Sequence, residues 1–243
     1  MMKKISLIVL SLPVLLACTY AEPLTEVEKE KKVESIVEEA TVQKTDTTLS
    51  FEEQDLSKLP QDWSQYYTGK EGEKPNWQIV DDKGNKVLAQ LTKDNPNYHF
   101  NVVVFDKVAT KNVELTVKMK GVDGRMDQGG GFVWRFIDEN NYYVVRANPL
   151  EDNVVLYKVE SGKRTDLPLI GKGRTYGVDV EKLGSDWNEL KLIVKGDLFT
   201  VYLNGKEIFQ VQDQTFTNTG KVGLWTKADA VSYFDNFQIK TLE

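Results

Sequence analysis

The chain has 243 residues, with 37 acidic side chains against 31 basic ones, a single histidine and a single cysteine. The formal charge of −6 and the lack of any basic run exclude a nucleic-acid partner. One cysteine excludes a disulfide framework and a zinc–thiolate cluster; one histidine, His99 in "NYHFNVVVF", excludes multi-histidine zinc sites and disfavours a Ser-His-Asp centre.

In chain order, the first element is a leader. Met1 to Lys4 are positively charged, and Ile5 to Leu16 form an apolar run too short to span a bilayer as a helix. It closes on Leu15-Leu16-Ala17-Cys18, which resembles a bacterial lipoprotein signal box: residues 1–17 are the expected signal peptide and Cys18 the lipidated residue. The alternative is an ordinary secretory leader that contains a cysteine. A diacylglycerol plus an amide-linked acyl chain supplies the several hydrocarbon chains that stable anchoring needs. Thr19 in place of aspartate resembles lipoproteins sorted to an outer membrane. Loss of Lys3 and Lys4 with the leader takes the charge from −6 to −8. Nothing after Cys18 is long and apolar enough to cross a bilayer.

Residues 18–49 are rich in Glu, Lys and Thr and are read as a tether. Leu24, Val27, Val33, Ile36, Val37 and Ala40 recur at near-helical intervals, so the tether is expected to be partly helical. A partner-binding helix is the competing reading.

From residue 50 to 243 the composition shifts to aromatic and β-branched residues with glycine-bearing turns, and roughly 190 residues suit one all-β domain. "KNVELTVKMKGV" alternates Val113, Leu115, Val117 and Met119 against polar neighbours, predicting a half-buried strand. Gly129 to Gly131 precede a strand and not a helix, which predicts a bend or a close backbone approach. "GFVWRFI", "NYYVVRAN" and "NVVLYKV" predict short strands joined by "DEN" and "PLED" corners. Two further hairpins are expected at Gly196-Asp197 and Asn204-Gly205, the second a strong type I′ signal. "KVGLWTK" and "VSYFDNFQIK" close the domain. No helix of core length is predicted, so the fold class is all-β: a two-sheet antiparallel β-sandwich or jelly roll.

The segment 129–164, with "WRFIDENNYYVVRANPLEDNV", and the ending "GLWTKAD" resemble the concanavalin A-like, laminin-G-like jelly rolls of bacterial envelope proteins. More narrowly, they resemble the 3-keto-disaccharide hydrolase-like group. The resemblance implies two sheets packed face to face, one of them curved, with ligands on its concave side or at the loop rim. Hydrolase-like members often open with a phrase such as "FNGKDLSGW"; here "DLSKLPQDW" ends in Trp63 without the glycine-bearing turn.

Candidate site residues follow from alternation. In "GFVWRFI" a period of two places Phe132, Trp134 and Phe136 on one face and Val133, Arg135 and Ile137 on the other. Arg146 shares its face with Tyr142, Val144 and Asn148. An unpaired guanidinium is not buried, so the arginine-bearing faces are expected to line the concave surface, binding a sugar or pairing with carboxylates. Tyr142, Tyr143, Trp134 and Trp225 are candidates for stacking or for core, with Trp225 favoured because "WTKAD" sets Lys227 and Asp229 in a loop beside it. The ligand-binding set is therefore Arg135, Tyr142, Arg146, Asn148, Trp225, Lys227 and Asp229.

Glu151, Asp152 and Asp229 are candidates for acid or base roles. Glu151 and Asp152 are adjacent and point apart, so a catalytic pair needs a partner such as Asp229 or Asp138, and turn formation is the competing role. Asp138 and Asp152, with backbone carbonyls, offer hard ligands for a structural calcium; no other cofactor is expected. Three functions remain: an envelope-anchored carbohydrate-recognising lipoprotein, a hydrolase of glycosides or 3-keto-disaccharides, and a structural or adhesion lipoprotein. Carbohydrate and the membrane are the expected partners.

Overall fold

The computed structural model describes residues 46–243. The expected signal peptide, the lipidation at Cys18 and the tether up to Thr45 lie outside the described residues. Sixteen strands form two antiparallel sheets, and no helix occurs among the described residues. The first sheet runs β14 (Lys206–Gln212), β13 (Leu198–Leu203), β12 (Asn188–Lys195), β6 (Val113–Asp123), β16 (Val231–Thr241), β4 (Asn85–Gln90) and β3 (Trp77–Asp82), with β1 (Asp46–Leu49) also on β16. The second runs β10 (Lys163–Asp166), β9 (Asn153–Glu160), β8 (Asn141–Asn148), β7 (Gly130–Asp138), β15 (Gly220–Lys227), β5 (His99–Thr110) and β2 (Trp63–Gly69), with β11 (Val178–Asp179) also on β9. The all-β sandwich expected from the sequence is present. Its first strand uses Asp46–Leu49, so the last four residues assigned to the tether pair with β16 and belong to the domain.

The alternating pattern determines which side chains meet. Val113, Leu115, Val117 and Met119 are buried along β6 while their neighbours face outward. They meet Phe132, Trp134, Tyr143, Val145 and Leu156 of the second sheet in the core between the layers. Burial of each such large side chain contributes roughly 1.5–3 kcal/mol. Trp134 stacks on Tyr143 at 5.3 Å, and Phe199 meets both rings edge-on. The Asn204-Gly205 turn has both residues at positive φ, 50° and 78°, as a type I′ hairpin requires.

The glycine triplet marks close approaches. A Cβ on Gly130 would lie 2.7 Å from the Phe234 ring, and one on Gly131 would lie 1.9 Å from the Val145 carbonyl oxygen.

Alternation fails at one position in β7, and the face assignment around Arg135 is corrected there. Arg135 has φ 47° and is a bulge. Against β15, Val133 faces Gly223 and Phe136 faces Lys221, so three steps on β7 match two on its partner. Phe136 therefore joins Val133 on the outer face, and Arg135 turns toward the Phe199 ring of the core, 5.6 Å away.

The second sheet curls far more than a platform would. A flat sheet would separate β2 from β8, four strands away, by about 19 Å. Yet the Thr68 hydroxyl is 2.8 Å from that of Tyr142, and Thr68 donates to the Glu139 carbonyl at 2.5 Å. On the other side the Arg164 amide of β10 donates to the Tyr98 hydroxyl, next to the start of β5, at 2.7 Å. The concave face is thus filled by its own side chains: Phe100, Val102, Val104, Val133, Phe136, Tyr142, Val144, Val155, Tyr157, Val159 and Trp225 form a second apolar cluster. The expected open arginine-and-aromatic surface is replaced by a packed interior with a polar rim.

Candidate functional site

The rim is built around the corner between β8 and β9. Asn148 Oδ1 accepts from the amides of Leu150 and Gln128, and its Nδ2 is buried without a partner. Asp152 takes φ 46°, and its Oδ1 accepts from the Leu183 amide at 2.9 Å. Glu151 turns the other way, as adjacent residues in an extended corner do, and accepts from Arg146 Nη2 at 2.7 Å. The Arg146 side chain is 2% exposed and the Glu151 side chain 38%. The guanidinium also donates to the Asn153 side chain and to the Tyr157 hydroxyl.

A second ion pair completes the rim. Lys227 Nζ lies 2.9 Å from Asp127 Oδ2, and Asp127 Oδ1 accepts from the Gly129 amide at 2.7 Å. A Cβ on Gly129 would stand 2.7 Å from Asp127 Oδ1 and 3.3 Å from Arg146 Cδ, so a larger residue there would push against both ion pairs. Burial works against the charge of Arg146, but Tyr157 and Glu151, followed by Asp127 and Tyr176, outweigh it and raise the pKa. Glu151 has the mirror behaviour: burial opposes ionisation, yet Arg146 holds its carboxyl below the ordinary range. The Tyr157 phenol is pushed up by burial, against the pull of Arg146 and Arg164. Tyr176, 48% exposed, meets Tyr157 edge-on at 6.0 Å and provides the open aromatic ring of the rim.

The structure brings together Arg146, Asn148, Lys227 and Glu151 from the sequence-derived set, with Trp225 and Tyr142 on the packed concave face behind them. It sends Arg135 elsewhere and commits the Asp229 carboxylate to backbone amides, one of them that of the rim residue Asp127. Arg135 is 1% exposed and donates to the Lys111 carbonyl at 3.0 and 3.1 Å, to Phe216 O at 2.6 Å and to Gly196 O, away from Arg146. Asp229 accepts from the amides of Arg125, Met126 and Asp127 at 2.7 to 3.2 Å, so its carboxylate anchors a loop. Glu151 is held by Arg146, Asp152 by the Leu183 amide and Asp229 by three backbone amides, so the structure pairs none of these carboxylates with another. Asp138 accepts from the Asn140 amide and the Asn141 side chain at the far end of β8 from Asp152, about 26 Å along the strand. The two cannot share a calcium ion, and no cluster of three or more potential ligands occurs among the described residues.

Sequence reasoning missed Asp127, Tyr157, Tyr176 and Arg164. The available signal was cross-strand: Tyr157 pairs with Val144 on the Arg146 face, and Arg164 with Val159 on the same face, but only the register reveals it. A separate cleft of about 660 Å³ runs beside β2, lined by Tyr66, Tyr67, Glu71, Lys74, Glu139 and Asn140 among others, and contains none of the sequence-derived candidates.

Residues 46–240 match the model of the 3-keto-alpha-glucoside-1,2-lyase-like domain. The chain belongs to that family. No curated protein matches it. Among solved structures, the carbohydrate-binding module CBM66 from Bacillus subtilis is similar at 19% identity and TM-score 0.55, covering 74% of this chain and 96% of the module. Domain 4 of AbnA, an extracellular arabinanase from Geobacillus stearothermophilus in complex with arabinotriose, is similar at 18% identity and TM-score 0.48, covering 82% and 93%. At 19% identity the likeness to the module shows the fold. On one rim the exposed Tyr176 ring and the Glu151 carboxylate stand beside the buried Arg146 and the Lys227–Asp127 pair, so the open groups are a carboxylate, which accepts, and a phenol, which donates and accepts.

Proposed function

We propose that this protein is an envelope lipoprotein, anchored through Cys18, whose sandwich domain recognises carbohydrate at the rim formed by Arg146, Glu151, Asp127, Lys227 and Tyr176. The observation that carries the reading is the buried Arg146 guanidinium, fixed by Glu151, Asn153 and Tyr157 beneath a half-exposed carboxylate and ring. A prepositioned charge beside an exposed aromatic face suits the polar edge and apolar face of a sugar ring. The lipobox at Cys18 supports the anchor, and the fold shared with a carbohydrate-binding module supports the ligand class.

Calorimetry of the full chain against envelope and plant oligosaccharides tests the ligand. Tyr176→Ala and Glu151→Gln are expected to weaken binding at least tenfold while the protein stays folded, Glu151→Gln with a slightly lower Tm, and binding to no glycan overturns the reading. For the anchor, Cys18→Ser is expected to move the protein from the membrane fraction to the soluble one; continued sedimentation with membranes would sink it.

The family match favours a second reading, elimination on a 3-keto-glucoside. A base would take the C2 proton made acidic by the C3 ketone, the C1–O bond would break, and the departing oxygen would collect a proton. Glu151 is the rim carboxylate open to substrate and so the base in this reading. Release of the aglycone from 3-keto-glucosides by wild type, with Glu151→Gln reduced at least a hundredfold, supports it. Equal release by both proteins rejects it.

A further inference from the structure

One guanidinium at the rim has no carboxylate of its own. Arg146 is paired with Glu151 at 2.7 Å, Lys227 with Asp127 at 2.9 Å, and Arg174 with Asp166 at 2.7 Å. Arg164 has no carboxylate partner among the described residues. Its guanidinium lies over three rings instead, 4.4 Å from Tyr157, 4.7 Å from Phe100 and 5.7 Å from Trp225. Arg146 approaches the same Tyr157 ring at 6.0 Å, so this one phenol ring links the paired arginine of the rim to the unpaired one.

Aromatic faces attract a cation but satisfy none of its N–H groups. Arg164 Nη1 is buried with no hydrogen-bond acceptor. The indole N–H of Trp225 is likewise buried, beside the Tyr142 hydroxyl. Asp166, two residues along β10 on the same face, does not neutralise Arg164: its Oδ1 goes to Arg174, and its Oδ2 is left without a donor. The arginine is nonetheless well fixed, because its amide is held by Tyr98 and its strand by the pairing with Val159. A buried donor without an acceptor costs about 1–3 kcal/mol, more when charged, and an acceptor arriving from outside removes that cost. An unused donor on a guanidinium that lacks a carboxylate selects a ligand that is both an acceptor and an anion. A planar carboxylate matches the guanidinium fork.

We infer that Arg164, flanked by Trp225, is a carboxylate subsite adjoining the sugar rim, so that the carbohydrate recognised is an acidic one built from uronic acids. The inference rests on the carbohydrate reading of the rim and adds the class of sugar to it.

The test is calorimetry of the full chain with a panel of glucuronate, galacturonate, mannuronate and iduronate oligosaccharides, each beside its methyl ester. The ester keeps the sugar and removes the charge. At least one acid is expected to bind tenfold or more tightly than its ester. Arg164→Gln is expected to erase that preference while leaving ester affinity unchanged. Arg164→Lys, which retains the charge and the ring contact but lacks the fork, is expected to keep only part of it and decides the matter if the glutamine variant does not fold. Equal affinity for acid and ester, or a preference that survives in folded Arg164 variants, overturns the subsite and leaves sugar recognition standing. Binding of neutral glycans alone has the same meaning. Failure of every sugar, acidic or neutral, overturns both.

Discussion

Arg135 shows how one side chain can hold loops together without contacting a ligand. Its guanidinium bonds to backbone carbonyls of Lys111, Phe216 and Gly196, which come from three separate connections at one end of the sandwich. Burial lowers its pKa, partly offset by Tyr143 and Asp197, so the charge is held at a cost that the three carbonyls offset. A lysine reaches one carbonyl at a time and cannot reproduce the fork. Arg135→Lys and Arg135→Met are each expected to lose about 3 kcal/mol in urea unfolding at neutral pH. A loss below about 1 kcal/mol would show that the loops hold themselves.

Glu151 calls for a different measurement because it is partly in water. Its depressed carboxyl means that the folded protein binds fewer protons there than the unfolded chain. The contribution to stability is therefore complete above the unfolded pKa of about 4.3 and disappears as pH falls through the lower folded value. With 38% of the side chain exposed, the pair with Arg146 contributes at most about 1 kcal/mol. Glu151→Gln is expected to be slightly less stable than wild type at pH 7, with the two curves converging as pH falls through the depressed folded value. A gap that stays constant with pH would mean the carboxylate is not held by the arginine.

At the scale of strands, the bulge in β7 is the feature that reassigns the site. Its bulged backbone crosses directly over Gly220 of β15: a Cβ there would lie 2.5 Å from Arg135 C and 2.6 Å from Arg135 Cα. Neither is the tip of a flexible side chain, so the strands would have to part. Gly220→Ala is expected to cost about 1–3 kcal/mol and to lower the Tm without changing the fold. An unchanged Tm would show that the bulge can relax. The same strand explains what was readable beforehand. Val113, Leu115, Val117 and Met119 alternate without interruption and their burial follows directly, as does the Asn204-Gly205 hairpin. In "GFVWRFI" alternation holds up to Trp134 and then fails, because an arginine in the left-handed region carries no glycine to mark it. Arg164 and Tyr157 were unreadable for another reason: their place beside Arg146 depends on pairing across β8, β9 and β10, not on spacing within one strand.

For the whole molecule, curvature of the second sheet decides what is site and what is core. Seven strands laid flat would expose a broad apolar face and two free edges, a liability for aggregation. Curling buries that face and confines polar groups to the rim. The contact between Thr68 of β2 and Tyr142 of β8 spans four strands and so reports on closure directly. Both residues are buried, and burial raises the Tyr142 pKa despite its hydrogen bond with Thr68. Thr68→Val removes the bonds to Tyr142 and to the Glu139 carbonyl and leaves a buried phenol unpaired, an expected loss of about 2–3 kcal/mol. Tyr142→Phe leaves Thr68 bonded to Glu139 and is expected to lose about 1 kcal/mol. In the double variant the phenol is gone, so no unpaired hydroxyl remains from the first change. Its total loss should therefore fall short of the sum by about 1 kcal/mol. That coupling, measured by urea unfolding of the four proteins, is the energetic signature of a sheet closed on itself; strict additivity would mean that β2 and β8 are held together by packing alone.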